Sequence, residues 1–396
     1  MLFWLLALAN GKKIGIYCSD VSGAFDKVDA QRLLMKLRLF GLHPQLLEVI
    51  KSWLRKRRAH IAVAGSNSVS FDMQNMVYQG TIWGPPFWNC YYADAKLALQ
   101  KMDFTEIIFA DDLNGFKEFA NSTSNDDIFD ELAACQSELH AWGRANRVEF
   151  DPNKESRHII SKRDPTSSTF LLLDIEFDYK LLMQHAVRSL VISASWKLRS
   201  LCRAQRFYST ADLVRIFKAH VLSFIEYRTP AIIHCATTIL DPLDHILDRF
   251  LNDIGISRID ALIYYNLAPL QTRRDMAALA IIHRAVIGRG PDHFRSFFQL
   301  DTNPPRYSSR LGRPIHKHQL LDPFEALHRD YINRSVLGYI WVYNLLPDEI
   351  VRSTSVKCFQ SGLQRMLKDM AGSYPDRWAN LFTVRQTRND CLLRCY

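Results

Sequence analysis

The chain contains no apolar run approaching the roughly 20 residues that a membrane-spanning helix requires. It shows no internal repeat and no low-complexity tract, which argues against solenoid and disordered classes. Its eight cysteines, at 18, 90, 135, 202, 235, 358, 391 and 395, form no C-x-x-C pair and no Cys/His array with zinc spacing. They read as free thiols of a reducing compartment, Cys391 and Cys395 included. Residues 1–9, M-L-F-W-L-L-A-L-A, lack the basic flank of a signal peptide and read instead as the end of a core helix whose upstream part is absent.

What is present is a chain of 396 residues, 48% hydrophobic, enough for a full core and two or three structural units. The net charge of +9 suits a polyanionic partner, although a basic globular protein without one has the same balance. Two acid-bearing stretches stand out. In E-I-I-F-A-D-D-L-N-G-F-K-E-F, residues 106–119, two β-type runs flank Asp111 and Asp112, a hairpin pattern with carboxylates at its tip. Upstream, Asp20 closes the strand-like run 14–18 in Y-C-S-D-V-S-G-A-F-D. Carboxylates on neighbouring strands can hold two divalent ions about 3.5–4 Å apart, the arrangement behind in-line nucleotidyl transfer. An Asp-Asp pair alone is equally a polar hairpin turn.

Between the acids the pattern is mostly helical. Leu33, Leu34, Leu37 and Phe40 share one helix face, with Gly41 at its C-terminus. Pro44 opens a second helix through Trp53 that ends in Arg55, Lys56, Arg57 and Arg58. Residues 59–64 and 69–77 bracket Gly65-Ser66-Asn67-Ser68 as a hairpin. The loop Q-G-T-I-W-G-P-P, residues 79–86, leads into an aromatic-rich helix over 87–99; its glycines allow close backbone approach to a ligand. Residues 126–146 form an amphipathic helix, 162–169 a polar loop, and 170–183 a further hairpin. Helices are predicted at 186–205, 210–226, 241–254, 271–288 and 334–345, with Thr210 and Asp241 as N-caps. Asp26 and Asp29 read as helix-start or ion-pairing acids.

The order of these pieces resembles the reverse transcriptases of non-LTR, LINE-type retrotransposons. Y-C-S-D-V-S-G-A-F-D-K-V-D matches their motif A, Q-G-T-I-W-G-P-P-F-W-N motif B, F-A-D-D motif C and W-G-R-A-N-R-V-E-F-D-P-N-K motif D. Ile225-Glu226-Tyr227 and the segment N-L-A-P-L-Q-T-R-R-D are similar to the thumb and following helices, so the likeness covers roughly residues 10–300. Three ordered motifs are far more specific than any one.

The resemblance implies an α+β polymerase right hand. Its palm is an antiparallel sheet backed by helices, over 1–183, followed by a helical thumb over 184–260 and a helical C-terminal region over 261–396. It implies that Asp20, Asp111 and Asp112 are metal ligands for two Mg²⁺ ions, with Mn²⁺ as a substitute, and that Lys154 meets the leaving pyrophosphate. Phe25 stands where the family has an aromatic that excludes a 2′-hydroxyl. Gln79 and Gly80 stand where it packs nucleotide and template, with Tyr78 in place of the usual proline. Lys154 is also read as a surface lysine and Phe25 as a core residue. Arg55–Arg58 together with Arg199, Arg203 and Arg206 read either as phosphate contacts or as solvated helix surfaces. Asp174 stands where the primer-gripping hairpin has glycine, and an acid there repels a primer phosphate. The implied partners are an RNA template, a DNA primer and deoxynucleoside triphosphates, with a nuclear location for an active retroelement protein.

Only about ten residues precede the motif A strand, so the family's fingers region is expected to be missing, as in a truncated element. Residues 1–9 then read as a remnant of the helix that closes the fingers, with apolar surface left open. Two functions follow: an RNA-directed DNA polymerase, or a catalytically inactive relic or domesticated nucleic-acid-binding protein that keeps the palm and thumb.

Overall fold

The computed structural model describes residues 1–55, 57–73, 77–163, 169–304, 307–308, 313–323, 330–386 and 390–394. Helices and sheets are mixed, and the chain divides into two compact units. One is formed by residues 10–172. The other is formed by residues 1–9, the helix α1 (Leu2–Ala9), together with residues 173–396.

The first unit is built on β1 (Lys13–Ser19), whose seven positions are all buried. A strand covered on both faces reads as a continuous apolar run rather than an alternating one, and K-I-G-I-Y-C-S fits that pattern. Helix α2 (Ala30–Leu39) follows. Asp29 caps it by accepting from the Arg32 N–H at 2.9 Å and also pairs with Arg147 at 2.5 Å, so the structural reading of this acid holds. Helix α3 (Pro44–Trp53) buries Leu47 and Ile50.

The basic run does not extend that helix. Arg57 begins β2 (Arg57–Ala59) instead. Within its ends lie β3 (Ala62–Val63) and β4 (Ser66–Asn67), and β2 pairs antiparallel with β5 (Phe71–Met73). The inner turn is Ala64-Gly65, φ +48 and +81, one residue earlier than the Gly-Ser-Asn-Ser reading. Two positive φ values make the hairpin's type I′ turn, whose twist matches its strands.

The aromatic segment is two helices, α4 (Gly84–Tyr92) and α5 (Lys96–Lys101), not one. Asp94, at the break, takes the Lys36 ammonium from α2 at 2.6 Å. Then come β6 (Thr105–Phe109), β7 (Asp112–Phe119), α6 (Asn125–Asn146) and β8 (Ser156–Ile160). The sheet order is β6-β7-β1-β8, with every neighbouring pair antiparallel. Ser124 caps α6 through the Asp127 N–H, and its Ile128, Leu132, Cys135 and Leu139 are buried. At Gly115 on β7 a Cβ would stand 2.7 Å from Leu99 Cδ2, so the approach of α5 to the sheet requires glycine there.

The second unit is helical. Helix α7 (Gln184–Arg203) turns Val187, Leu190, Ala194 and Leu198 inward, and the rings of Phe217 and Phe250 stack 4.2 Å apart. The helix expected over 210–226 is Thr210–Phe217, a π-turn, then Ser223–Tyr227. Its cap is Ser209, one residue earlier than expected. The helix expected from Asp241 begins at Thr237 and carries Pro242 inside it, so Asp241 caps nothing. Residues 334–345 are a short helix end, a 3₁₀ turn and a second short helix rather than one rod. Helix Leu270–Val286 buries Arg274 and Asp275. Arg274 donates to Asp244 at 2.7 Å, and Asp275 accepts from Tyr339 at 2.5 Å and Gln271 at 2.6 Å. Helix α1 has an inside of its own: Trp4 lies edge-on to Phe177 at 5.8 Å and Phe3 to Phe297 at 4.7 Å, with Leu5 and Leu8 buried. The seven described cysteines are free thiols; Cys395 lies outside the described residues.

Candidate active site

Register brings the acids together. Ser19 is the last residue of β1, pairs with Leu113 on β7, and donates its hydroxyl to the Leu113 carbonyl at 2.7 Å. One step further along each strand stand Asp20 and Asp112. Phe109 pairs with Asp112 across the β6–β7 turn, so Ala110 and Asp111 form its two-residue tip. Ala110 has φ +55, a left-handed conformation that costs a non-glycine residue about 1 kcal/mol or more. The indole N–H of Trp88 on α4 donates to the Ala110 carbonyl at 2.9 Å and holds the tip in place.

The electrostatics report the same convergence. The Asp112 carboxyl is pushed up by burial, then by the charges of Asp20 and Asp111, with Lys154 acting in the opposite sense. The phenol of Tyr92 on α4 is raised by burial and then by Asp111, Asp20 and Asp112. Tyr92 and Trp88 are the site residues that sequence reasoning missed; inside an aromatic helix neither differs from core.

Residues 149–154 run beside the end of β1. Ser22 N–H donates to Glu149 O at 2.9 Å and Asp151 N–H to Asp20 O at 3.0 Å. This places the exposed ammonium of Lys154 on the Asp20 carboxylate, and that hydrogen bond and charge raise the Lys154 pKa. Phe25 opens a 3₁₀ turn, half-buried, with its ring 5.9 Å from Trp88. Its carbonyl accepts from the Val77 N–H at 2.9 Å, bringing the glycine loop alongside. Gln79 is exposed and donates its amide to Asp26 at 3.1 and 3.2 Å; Gly80 follows at φ +77. Asp26 is therefore engaged in the loop rather than in a helix start.

Asp20, Asp111 and Asp112 are an oxygen-only, mutually repelling set, the donor chemistry a hard divalent cation takes. Among the described residues no three His, Cys, Asp or Glu side chains already stand in a metal-holding arrangement. Asp20 is turned to Lys154 instead.

The basic residues fall in separate places. Arg55 is exposed, and Arg58 on β2 pairs with Asp72 at 3.7 Å; Lys56 lies outside the described residues. In the helical unit Arg199 and Arg203 are exposed on α7, and Arg206 follows in a 3₁₀ turn. Arg199 lies 5.5 Å from the ring of Trp196 and Arg206 4.7 Å from that of Phe207, both rings largely exposed. Leu173 and Asp174 both have positive φ, +50 and +58, a conformation that favours glycine. The Asp174 charge is met by Arg228 at 2.8 Å, which offsets its repulsion of an anion.

Residues 6–175 match the family described as reverse transcriptase (RNA-dependent DNA polymerase). The RNA-directed DNA polymerase from mobile element jockey of Drosophila funebris is 24% identical over 275 residues, 64% of this chain. The chain spans 30% of that relative's length. A solved structure of telomerase from Candida albicans, with a TWJ fragment of telomeric RNA, aligns with 61% of this chain and 44% of its own at 12% identity. The TM-score of that alignment is 0.28. Among the described residues no helix is long and apolar enough to cross a membrane. The segment that is similar to the reverse transcriptase family holds both acid stretches, the glycine loop between them and Lys154, and the curated relative it resembles is the polymerase of a mobile element.

Proposed function

We propose that residues 10–172 are the palm of an RNA-directed DNA polymerase and that Asp20, Asp111 and Asp112 are its metal ligands. The observation that carries this reading is the β1–β7 register, which sets Asp20 beside the Asp111–Asp112 tip closely enough for their charges to act on one another. Asp20, Asp111 and Asp112 would hold two Mg²⁺, or in substitution Mn²⁺, and bound there the ions would lower the pKa of the primer 3′-hydroxyl and stabilise the charge of the departing pyrophosphate. The chain's own residues orient and select. Trp88 fixes the tip that carries Asp111. Phe25, backed by Trp88, closes the sugar side against a 2′-hydroxyl. Gln79 and Gly80 take the nucleotide and template side. Lys154, exposed beside the acids, meets the pyrophosphate as a cation. RNA template, DNA primer and deoxynucleoside triphosphates are the substrates. The helical thumb, residues 184–260, presents Arg199, Arg203 and Arg206 to phosphates, with Arg55 and Arg58 as a second patch.

A second reading, a nucleic-acid-binding protein without catalysis, is favoured by the pairing of Asp20 with the Lys154 ammonium, which engages a carboxylate that a metal would need. Primer extension on an RNA template with Mg²⁺ separates the two. The polymerase reading expects extension that Asp111→Ala reduces by about 1,000-fold or more, equivalent to roughly 4 kcal/mol of transition-state stabilisation. Salt-sensitive binding of primer–template with no extension by the wild type would establish the other.

A further inference from the structure

Asp26 lies outside the acid trio, yet its carboxylate is committed to the glycine loop. Both oxygens accept from Gln79 Nε2, at 3.1 and 3.2 Å. An ionised carboxylate only accepts, so the chemistry fixes the orientation of the Gln79 amide: the amino group faces Asp26 and the oxygen is left on the free side. Two neighbouring features preserve this bond. Lys27, the adjacent cation, is paired with Glu149 at 2.6 Å, and so does not compete for Asp26. The Val77 N–H to Phe25 carbonyl bond, 2.9 Å, clamps the two backbones one or two residues away from the pair. Asp26 caps no helix, in contrast to Asp29 three residues on, which caps α2.

We propose that Asp26 is a positioning residue that presents the amide oxygen of Gln79 as an acceptor, so that the nucleotide group meeting Gln79 is a hydrogen-bond donor, a sugar hydroxyl or a base N–H. This rests on the polymerase reading above. Asp26 touches no substrate itself; it decides which end of an ambidextrous amide the substrate meets.

The test is an exchange of the two functional groups, read by primer extension on an RNA template. Asp26→Ala frees the amide to turn over, and the KM for deoxynucleoside triphosphate rises about 10-fold with kcat nearly kept, the scale of one charge-assisted hydrogen bond. Gln79→Glu sets two carboxylates against each other and loses at least as much. Asp26→Asn combined with Gln79→Glu restores both: the introduced amide donates to the introduced carboxylate, whose other oxygen again faces outward as an acceptor. Recovery of KM to within about 3-fold of wild type supports the assignment. A double variant no better than Gln79→Glu, or Asp26→Ala with wild-type KM, overturns it. If the wild type extends no primer, the polymerase reading fails, and the pair is judged by the Gln79 side-chain NH₂ resonance of ¹⁵N-glutamine-labelled protein. That resonance moves on Asp26→Ala if the bond exists; an unmoved resonance overturns the positioning role.

Discussion

Burial and the two neighbouring carboxylates of Asp20 and Asp111 all oppose ionisation of Asp112. Its folded-state pKa lies above the unfolded value, so the folded chain takes up the proton more readily. Stability contributed by this group therefore falls as pH rises through its folded pKa and is recovered as pH drops. Asp112→Asn should raise the stability of the metal-free chain at neutral pH by less than about 1 kcal/mol, since the site is partly solvated, and should abolish any gain in Tm on adding Mg²⁺. His158 on β8 has the opposite sign. Burial pushes its imidazole down to about 4, and it stacks on Phe170 at 4.6 Å. The unfolded chain binds a proton near pH 6.5 that the folded chain refuses until about pH 4. Stability is therefore lost as pH falls through that window, by about 3 kcal/mol at its lower end. Denaturant titrations of wild type and His158→Phe between pH 7 and 4 should converge on that difference; parallel curves would contradict it.

At the scale of elements, the tip of the β6–β7 hairpin depends on a side chain of α4, 22 residues upstream of Ala110. Trp88→Phe leaves the Ala110 carbonyl without its donor and should cost about 1–3 kcal/mol, with primer extension falling alongside. Gly115→Ala drives a Cβ onto Leu99 and should cost a similar 1–3 kcal/mol or so by overpacking, measurable as a lower urea midpoint at unchanged m. These contacts also mark what the sequence could and could not reveal. The acid-bearing strands were legible because β1 is a short apolar run ending on Asp20 and because Asp111-Asp112 interrupts an otherwise strand-like stretch. The placement of Asp20 beside Asp112 was legible only through the family resemblance, since spacing alone does not give a register between strands more than 90 residues apart, as the Ser19–Leu113 hydrogen bond records. Arg57 and Arg58 read as the end of a helix because cations suit a helix C-terminus; pairing with Phe71–Met73 draws them into a strand instead. Pro242 read as a helix start because proline favours that position, yet tertiary packing carries the helix one turn earlier. Asp26 and Asp29 were alike in sequence, and only the side-chain partners separate the cap from the residue that holds Gln79.

For the whole molecule, the net charge of +9 acquires meaning from where the cations lie. Arg199, Arg203 and Arg206 sit along one stretch of the helical unit with Trp196 and Phe207 exposed beside them, cations and rings together, as a nucleic-acid strand favours. Replacing the three arginines by alanine should lower the slope of log Kd against log salt for primer–template by about 2–3, with little dependence on base sequence. An unchanged slope would return them to the class of solvated helix surface.

The polymerase reading requires three carboxylates to share divalent ions, and a direct measurement of that is anomalous diffraction from crystals of the chain with Mn²⁺ and a primer–template. The prediction is a manganese peak in contact with oxygens of both Asp20 and Asp111, with the Lys154 ammonium drawn off Asp20. A peak touching neither acid, or none at saturating Mn²⁺ with the Lys154–Asp20 pair intact, would contradict it.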